Sequence, residues 1–372
     1  MVPIDKRYVC LAVSFLICMM VGHSALAAPE MITELSVKIS PQSEFESRLT
    51  ITNNQLFDRF DRKSKRTPAP FIPDTDTVVA LKVNGNEVTY RLDREGMLYN
   101  EQTNERIELK PKVKAKLVQY AEYLRSVHYG QIVPWEEARA LLPKKMKFKV
   151  VDIESGLSFN VQRRAGSQHA DVQPLTKADT AVMKRIYNGK WSWKRKAILV
   201  QAGDRMLAAS MHGMPHGGDG IPDNDFSGHF CIHFLGSTTH GSRKVDPEHQ
   251  LMVFKAGGQL ETYFARATPY EIVDAYFNSF SLDHSYLQNI SFTNKRHMQL
   301  ETLMRNPDEI TKIRKKLKAS KAKTDELTAV EIPVEVGITR KGLREERITV
   351  IFQMKRTSVT GPWKIDEIEM IS

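Results

Sequence analysis

Apolar and polar residues alternate one for one in run after run of this chain, and a period of two commits those runs to β-structure. The runs are "TVVALKV", "EVTYRL", "KMKFKVVDI", "LSFNVQR", "KAILVQ", "RMLAASM" and "GHFCIHF", then the longer "LTAVEIPVEVGIT", "ERITVIFQMKR" and "PWKIDEIEMI". Turn residues separate them as hairpins require: "NGN" with Asn84 and Gly85, "ESG", and "AGD". Helical periodicity is rarer. "PKVKAKLVQYAEYLRSVH" carries Pro111 in its first turn. "TKADTAVMKRIYNG" offers Thr176 as cap, Asp179 at the third position and Asn188-Gly189 as a stop. "DPEHQLMVFKAGG" has Asp246 as cap, Pro247 at its first position and Gly257 past its end. Thr268, Pro269 and Glu271 form a capping box before a helix with Ile272, Val273, Tyr276, Phe277 and Phe280 on one face. The expected fold class is α+β: a mainly-β central domain with short helices, flanked by small α+β modules.

At 372 residues the chain has room for several domains. Residues 1–27 read as a signal peptide, with Asp5, Lys6 and Arg7 before the apolar run from Val9 to Val21, and with Ala25 and Ala27 marking a cut after Ala27. The mature protein is then exported, secreted or associated with the cell wall. Residues 28–75 read as an extended segment and linker, because "RFDRKSKRTPAPFIPDTDT" is rich in charge and proline. Residues 76–143 form a small α+β domain, 144–260 the central, catalytic one, and 261–372 a C-terminal α+β domain. In the last, a basic helix led by Asn306-Pro307 takes in "KIRKKLKASKAK", with a solvated face. Helices followed by a curved antiparallel sheet resemble the nuclear transport factor 2-like cone, and that resemblance implies an accessory or dimerising module.

Lys and Arg number 54 against 44 Asp and Glu, a net charge of +10. An exported basic protein is drawn to anionic surfaces: peptidoglycan or another cell-wall polymer, with peripheral contact to lipid head groups. No nucleic-acid partner is expected, since zinc-finger spacing and a base-reading basic helix are missing. Of three cysteines, Cys10 and Cys18 leave with the leader, so Cys231 stands alone and a disulfide framework is excluded.

The chemistry concentrates in one span. His212, His216, His229, His233, His240 and His249 crowd it, with His169 just upstream in "GSQHADVQP", and glycines are dense around them. His128, His284 and His297 are isolated, ordinary surface or packed residues. In "GHFCIHF" the alternation puts Phe230, Ile232 and Phe234 on a core face and His229, Cys231 and His233 on the opposite, polar face. A nucleophilic Cys acts as the thiolate, and a free thiol has a pKa of about 8.5. An imidazole that takes the proton supplies the Cys–His logic of acyl transfer. Strand neighbours project in parallel, so His216, in the glycine-rich "MPHGGDG", has the better approach to the sulfur.

These residues resemble the L,D-transpeptidases of bacterial cell walls, which carry a His-Gly, a variable loop, and a strand reading Ser-x-Gly-Cys-(Ile/Val)-Arg. His216 matches the general base, Gly217 its glycine, Cys231 the nucleophile and Ile232 the aliphatic position. The family's Ser falls on Gly228 with Ser227 one residue early, its Gly on Phe230 and its Arg on His233. The resemblance implies acylation of Cys231 by a peptidoglycan stem peptide and resolution of the thioester by a second amine, with no cofactor. The expected catalytic set is Cys231, His216, His229, His233 and Gly217. His212, Ser227, Gly228, Trp191 and Trp193 are the expected substrate contacts. Trp191 and Trp193, in "KWSWKRK", can stack on sugars, although a strand with one face in the core is the preferred reading of that pair.

Two other classes draw on the same residues. "HGMPH" and "HFCIH" share an H-x-x-x-H spacing, and Asp223 follows His216 in "HGGDGIPD", which resembles the His-x(6)-Asp half of the zinc D,D-peptidases. A zinc-dependent cell-wall hydrolase would take its ligands from His169, His212, His216, Asp223, His229 and His233, with Asp171 of "HADVQ" able to supply another. A non-catalytic envelope binding protein would use the histidines only to line a polar groove.

Overall fold

The computed structural model describes residues 31–51, 64–83, 86–218, 220–282, 287, 290–293, 310–317 and 323–371. The expected leader, the Asn84-Gly85 turn, Asn306-Pro307, His284 and His297 lie outside them.

The chain opens with β1 (Met31–Val37), β2 (Ser47–Ile51), β3 (Lys65–Pro68), β4 (Thr77–Val83), β5 (Asn86–Leu92), β6 (Leu98–Asn100) and β7 (Glu105–Glu108). They form one seven-stranded antiparallel sheet in the order β2-β1-β4-β5-β6-β7-β3. Helix α1 (Pro111–His128) packs Leu117, Ala121 and Leu124 against Leu35, Val37, Val79, Leu81 and Leu92 of that sheet. Pro111 starts the helix where its missing N–H costs nothing. His128 is packed: its Nδ1 is 3.0 Å from Ser47 Oγ and its ring stacks on Phe45.

Helix α2 (Trp135–Leu141) leads into the barrel strands β8 (Lys147–Asp152), β9 (Ser158–Ala165) and β10 (Ala170–Pro174). Then follow α3 (Lys177–Ile186), β11 (Arg195–Ala202), β12 (Arg205–His212) and β13 (Phe230–His233). The six strands close in the order β10-β13-β12-β11-β8-β9, every pairing antiparallel. Phe148, Val150, Phe159, Val161, Ala170, Val172, Ile198, Val200, Leu207, Ala209, Met211, Phe230 and Ile232 fill the inside. The Thr176–Asp179 capping box of α3 forms as the sequence requires, each residue satisfying the other's backbone N–H.

Helices α4 (Pro247–Ala256), α5 (Leu260–Arg266) and α6 (Pro269–Leu282) precede a four-stranded antiparallel sheet, β14 (Ile310–Leu317), β15 (Ala329–Arg340), β16 (Glu346–Lys355) and β17 (Lys364–Ile371). One core joins this sheet to the barrel's outer wall: Ala197, Leu199 and Ala208 meet Leu251, Met252 and Ala256 of α4. Ile272, Val273, Tyr276 and Phe277 of α6 then meet Val334, Val336, Val350 and Phe352. At roughly 1.5–3 kcal/mol for each large apolar side chain buried, this layer couples α4 firmly to both neighbours. Helices and sheets are both abundant, as the α+β class requires.

Four expectations change. The described residues of the segment 28–75 are built into a domain, because β1, β2 and β3 belong to the same sheet as β4 and β5. Of the charges and prolines that argued for a linker, Lys65, Arg66 and Pro68 sit on β3, an edge strand, where both are tolerated. The boundary at 143 also falls late, because Trp135, Ala138 and Leu142 pack into the barrel core. The basic stretch expected to be helical forms β14 over Ile310–Leu317, where pairing along β15 overrides local propensity and Lys315 forms a salt bridge with Asp274 of α6. "KWSWKRK" is not a strand before Arg195: residues 191–194 are irregular, Trp191 packs edge-on against Phe226, and Trp193 is 49% exposed.

Candidate functional site

The alternation that fills the barrel also composes its outer wall. On β13, Phe230 and Ile232 point inward, so Cys231 and His233 point outward. Register brings Asp171 of β10 opposite Cys231, and Ser210 of β12 opposite His233. This polar face was expected to be open, and the structure corrects that: Cys231 is 3% exposed and His233 2%. The reason is tertiary. The loop after β12 folds back over the wall, the loop after β13 carries His240 onto it, and α4 covers the far side with His249.

The first loop is pinned by a two-way backbone bridge, with His216 N donating to His229 O (3.0 Å) and His229 N to His216 O (2.8 Å). Two glycines permit it. Gly228 has φ of 94°, and a side chain there would strike the His216 carbonyl. Gly217 has φ of 69°, and a Cβ would sit 2.4 Å from the His229 ring.

His216 Nε2 lies 3.4 Å from Cys231 Sγ. Its Nδ1 lies 3.0 Å from Met214 O, and a carbonyl only accepts, so the neutral ring carries its hydrogen on Nδ1. The Nε2 lone pair therefore faces the thiol. Burial, and then the nearby Asp171 carboxylate, push the Cys231 thiol far up from its usual range. At rest the sulfur keeps its proton. The Trp193 ring lies 5.2 Å from His216 and 4.7 Å from His212, forming one rim.

Asp171 is the hub of the wall. Its Oδ1 lies 3.1 Å from His169 Nε2, 3.2 Å from His240 Nε2, 3.8 Å from His229 Nε2 and 4.0 Å from Cys231 Sγ. Burial raises its carboxyl, but His169, by hydrogen bond and charge, with His229 and His240, draws it below the ordinary value. Behind it runs a stack of rings: His169 on His233 (4.5 Å), His233 on His249 (3.8 Å), and His249 Nδ1 2.8 Å from Ser210 Oγ. Burial, and then neighbouring positive charge, hold His212, His233 and His249 well below the usual imidazole value. Burial also lowers His229, partly offset by Asp171.

Two overlapping groups have the donor atoms to hold a metal: His216, His229, Cys231 and His240, or His169, Asp171, Cys231 and His240, each within 4.8 Å. Of the expected ligands, His212 and His233 fall outside both groups. His212 Nδ1 accepts from Met214 N, and His233 is held in the ring stack. Asp223 sits exposed on the loop at φ of 58°, away from both.

The structure thus brings together Cys231, His216, His229 and Gly217 as expected, with His212 beside His216. His233 stands behind the sulfur with no contact to it. Ser227 is exposed, Gly228 shapes the bridge and accepts from Gln173 Nε2, and Trp191 is half-buried against the edge of the barrel core. His240 was given no role in the sequence reading, and Asp171 was not matched to the thiol. A signal existed for Asp171: "HADV" alternates as "HFCI" does, so pairing the two strands puts Asp171 on the Cys231 face. Comparison with protein-family models and with curated proteins gives no match for this chain.

Proposed function

We propose that the protein is a cysteine acyl-transfer enzyme of the L,D-transpeptidase kind, acting on peptidoglycan stem peptides in the cell envelope. The observation that carries this reading is the 3.4 Å approach of His216 Nε2 to Cys231 Sγ, with the tautomer fixed by Met214 O. The acyl carbonyl of the donor peptide must reach Sγ past the loops that roof it, because Cys231 is 3% exposed. As the S–C bond forms, the thiol proton passes to His216 Nε2. Collapse of the adduct breaks the C–N bond, and the imidazolium returns that proton to the departing amine. An acceptor amine, deprotonated by His216, then attacks the thioester, and the thiolate leaves and is reprotonated. Burial and Asp171 keep the proton on sulfur until a carbonyl is present, which limits side reactions of an exported thiol.

The leader expected at 1–27 would deliver the chain to the envelope, and the net charge of +10 would hold it near anionic wall polymer. We read α6 and the four-stranded sheet as the cone-like accessory module. Incubation with tetrapeptide-bearing peptidoglycan fragments, followed by intact mass, tests the reading. An acyl adduct on Cys231 is expected. His216→Ala should slow its formation about 10²–10⁴-fold. A chain that stays unmodified while its thiol is free would sink the proposal.

A further inference from the structure

His169, Asp171 and His240 point three electron-rich atoms at one another. His169 Nε2 lies 2.9 Å from His240 Nε2 and 3.1 Å from Asp171 Oδ1, and His240 Nε2 lies 3.2 Å from the same oxygen. His169 Nδ1 is 2.6 Å from Thr238 O, a group that only accepts. The hydrogen of the neutral ring is therefore on Nδ1, and Nε2 presents a lone pair to a carboxylate oxygen and a second imidazole nitrogen. A hydrogen on His240 Nε2, shared between the two neighbours, can hold such a triangle together, and a cation among its corners can do so in its place.

The triangle suits a particular cation. Tetrahedral zinc with bonds of about 2.0–2.1 Å to nitrogen and oxygen has ligand–ligand edges of roughly 3.3 Å. Cys231 Sγ, 4.0 Å from Asp171 Oδ1, supplies the fourth corner, where a zinc thiolate needs an edge of roughly 3.6 Å. The supporting contacts are those of a metal-bound imidazole: the far nitrogen of His169 is tied to a backbone carbonyl, and the ring is fixed by stacking on His233. Charge also balances, because Asp171 and a Cys231 thiolate neutralise a divalent ion in a buried wall. His240, half-exposed on its glycine-flanked loop, gives the ion a way in. The group built on His216 and His229 shares Cys231 and His240 but has no carboxylate, so a divalent ion there would keep a net positive charge in a buried wall.

We propose that His169, Asp171, His240 and Cys231 bind one zinc-class divalent ion, and that the bound ion holds Cys231 as a metal thiolate, unable to attack an acyl donor until the ion leaves. Binding displaces the thiol proton to solvent and forms the metal–sulfur bond, with no redox change. The masking of the nucleophile rests on the acyl-transfer reading; the ion site does not.

Cobalt(II) titration of the full chain, followed by absorbance, tests the site. Saturation at one equivalent is expected, with tetrahedral d–d bands and a thiolate-to-cobalt charge-transfer band, all displaced by zinc. Cys231→Ser should lose the charge-transfer band, His240→Ala should weaken binding at least tenfold, and His216→Ala should leave affinity within about twofold. Absence of saturable binding, or a charge-transfer band that survives in Cys231→Ser, overturns the proposal. The acyl-adduct assay, run after chelation and again with zinc, separates the two readings. Cobalt binding without any adduct in the chelated protein removes the masking role along with the acyl-transfer reading, and keeps the ion site. An adduct equally fast with saturating zinc overturns the masking role alone.

Discussion

Asp76 and Asp171 are both carboxylates turned into the protein, and their partners differ in kind. Asp76 accepts from Arg125 Nε at 3.0 and 3.1 Å, from Arg125 Nη2 at 2.7 Å and from Tyr129 Oη at 3.1 Å, with Arg94 3.6 Å away. Burial pushes its carboxyl up, and the hydrogen bonds and charge of Arg125 overcome that and hold it below the ordinary value. Its main partner is a guanidinium that never gives up its charge. Asp171 faces only imidazoles and a thiol, every one able to gain or lose a proton or take a metal. The first carboxylate is closed by permanent donors and fastens α1 to the sheet. The second is left with switchable neighbours, the condition that chemistry needs.

The sharpest way to break the contrast is at Arg125, which is 5% exposed. Arg125→Met leaves Asp76 buried with too little positive charge, and should cost about 3–5 kcal/mol of stability in denaturant unfolding. Reactivity of Cys231 toward a thiol probe should not change in the folded fraction. A loss below about 1 kcal/mol would mean that Arg94 and Tyr129 suffice, and that Asp76 is no better anchored than Asp171.

Acid should find the histidine wall and the Asp76 carboxylate at different pH. His212, His233 and His249 have folded values well below 6.5 because burial opposes their charge. Below pH 6.5 the unfolded chain binds protons that the folded chain cannot, so stability falls as pH falls. The slope is at most about 1.4 kcal/mol per pH unit for each of the three. The Asp76 contribution has the usual carboxylate sign: present above the unfolded value near 3.9, and lost as pH drops through the lowered folded one. Thermal unfolding between pH 7 and 5 should therefore report the histidine wall together with His128, which burial brings down to about 4. His249→Gln should flatten that slope, while Arg125→Met should leave it unchanged.

How much of this was visible beforehand follows from the range of the interactions. Helix α1, the capping boxes of α3 and α6, and the Asp246 cap of α4 are local devices, and their residues announce them. The facing of Cys231 away from Phe230 and Ile232 is equally local. Roofing is not. It depends on loops without periodicity, and on β10 meeting β13 about 60 residues away, so the alternation gave the face and not its burial. His240 reaches the site across 69 residues for the same reason. β14 and β3 mislead because their charges and Pro68 describe an edge, and an edge exists only once the rest of the sheet is in place.

A smaller test sharpens the comparison from the side of Asp171. Gly217 takes φ of 69° with the His229 ring directly over it. Gly217→Ala strains the backbone by about 1–2 kcal/mol and drives His229 away from its place beside His216 and Asp171. The loop is surface structure, so much of that strain is released by local movement, and the global unfolding midpoint should shift little. The cost should appear instead as slower acylation of Cys231, because the His216–His229 bridge that aims His216 at the sulfur is loosened. An equal substitution near Asp76 has no such separation, since every group there is tied to the fold itself.

The least effect is expected at the rim. Trp193 is half-exposed and packs its ring against His212 and His216, so Trp193→Ala should change stability by no more than about 0.5 kcal/mol. If its ring is a platform for the glycan or peptide part of the substrate, its loss removes about 1 kcal/mol of binding that is the same in ground and transition states. That appears as KM rising roughly fivefold with kcat unchanged. If kcat falls and KM holds, Trp193 acts through His216, by fixing the tilt of the imidazole over the thiol. The switchable region would then extend to the surface through a ring that binds substrate, whereas the Asp76 network reaches solvent only through the paired charges of Arg94 and Glu122.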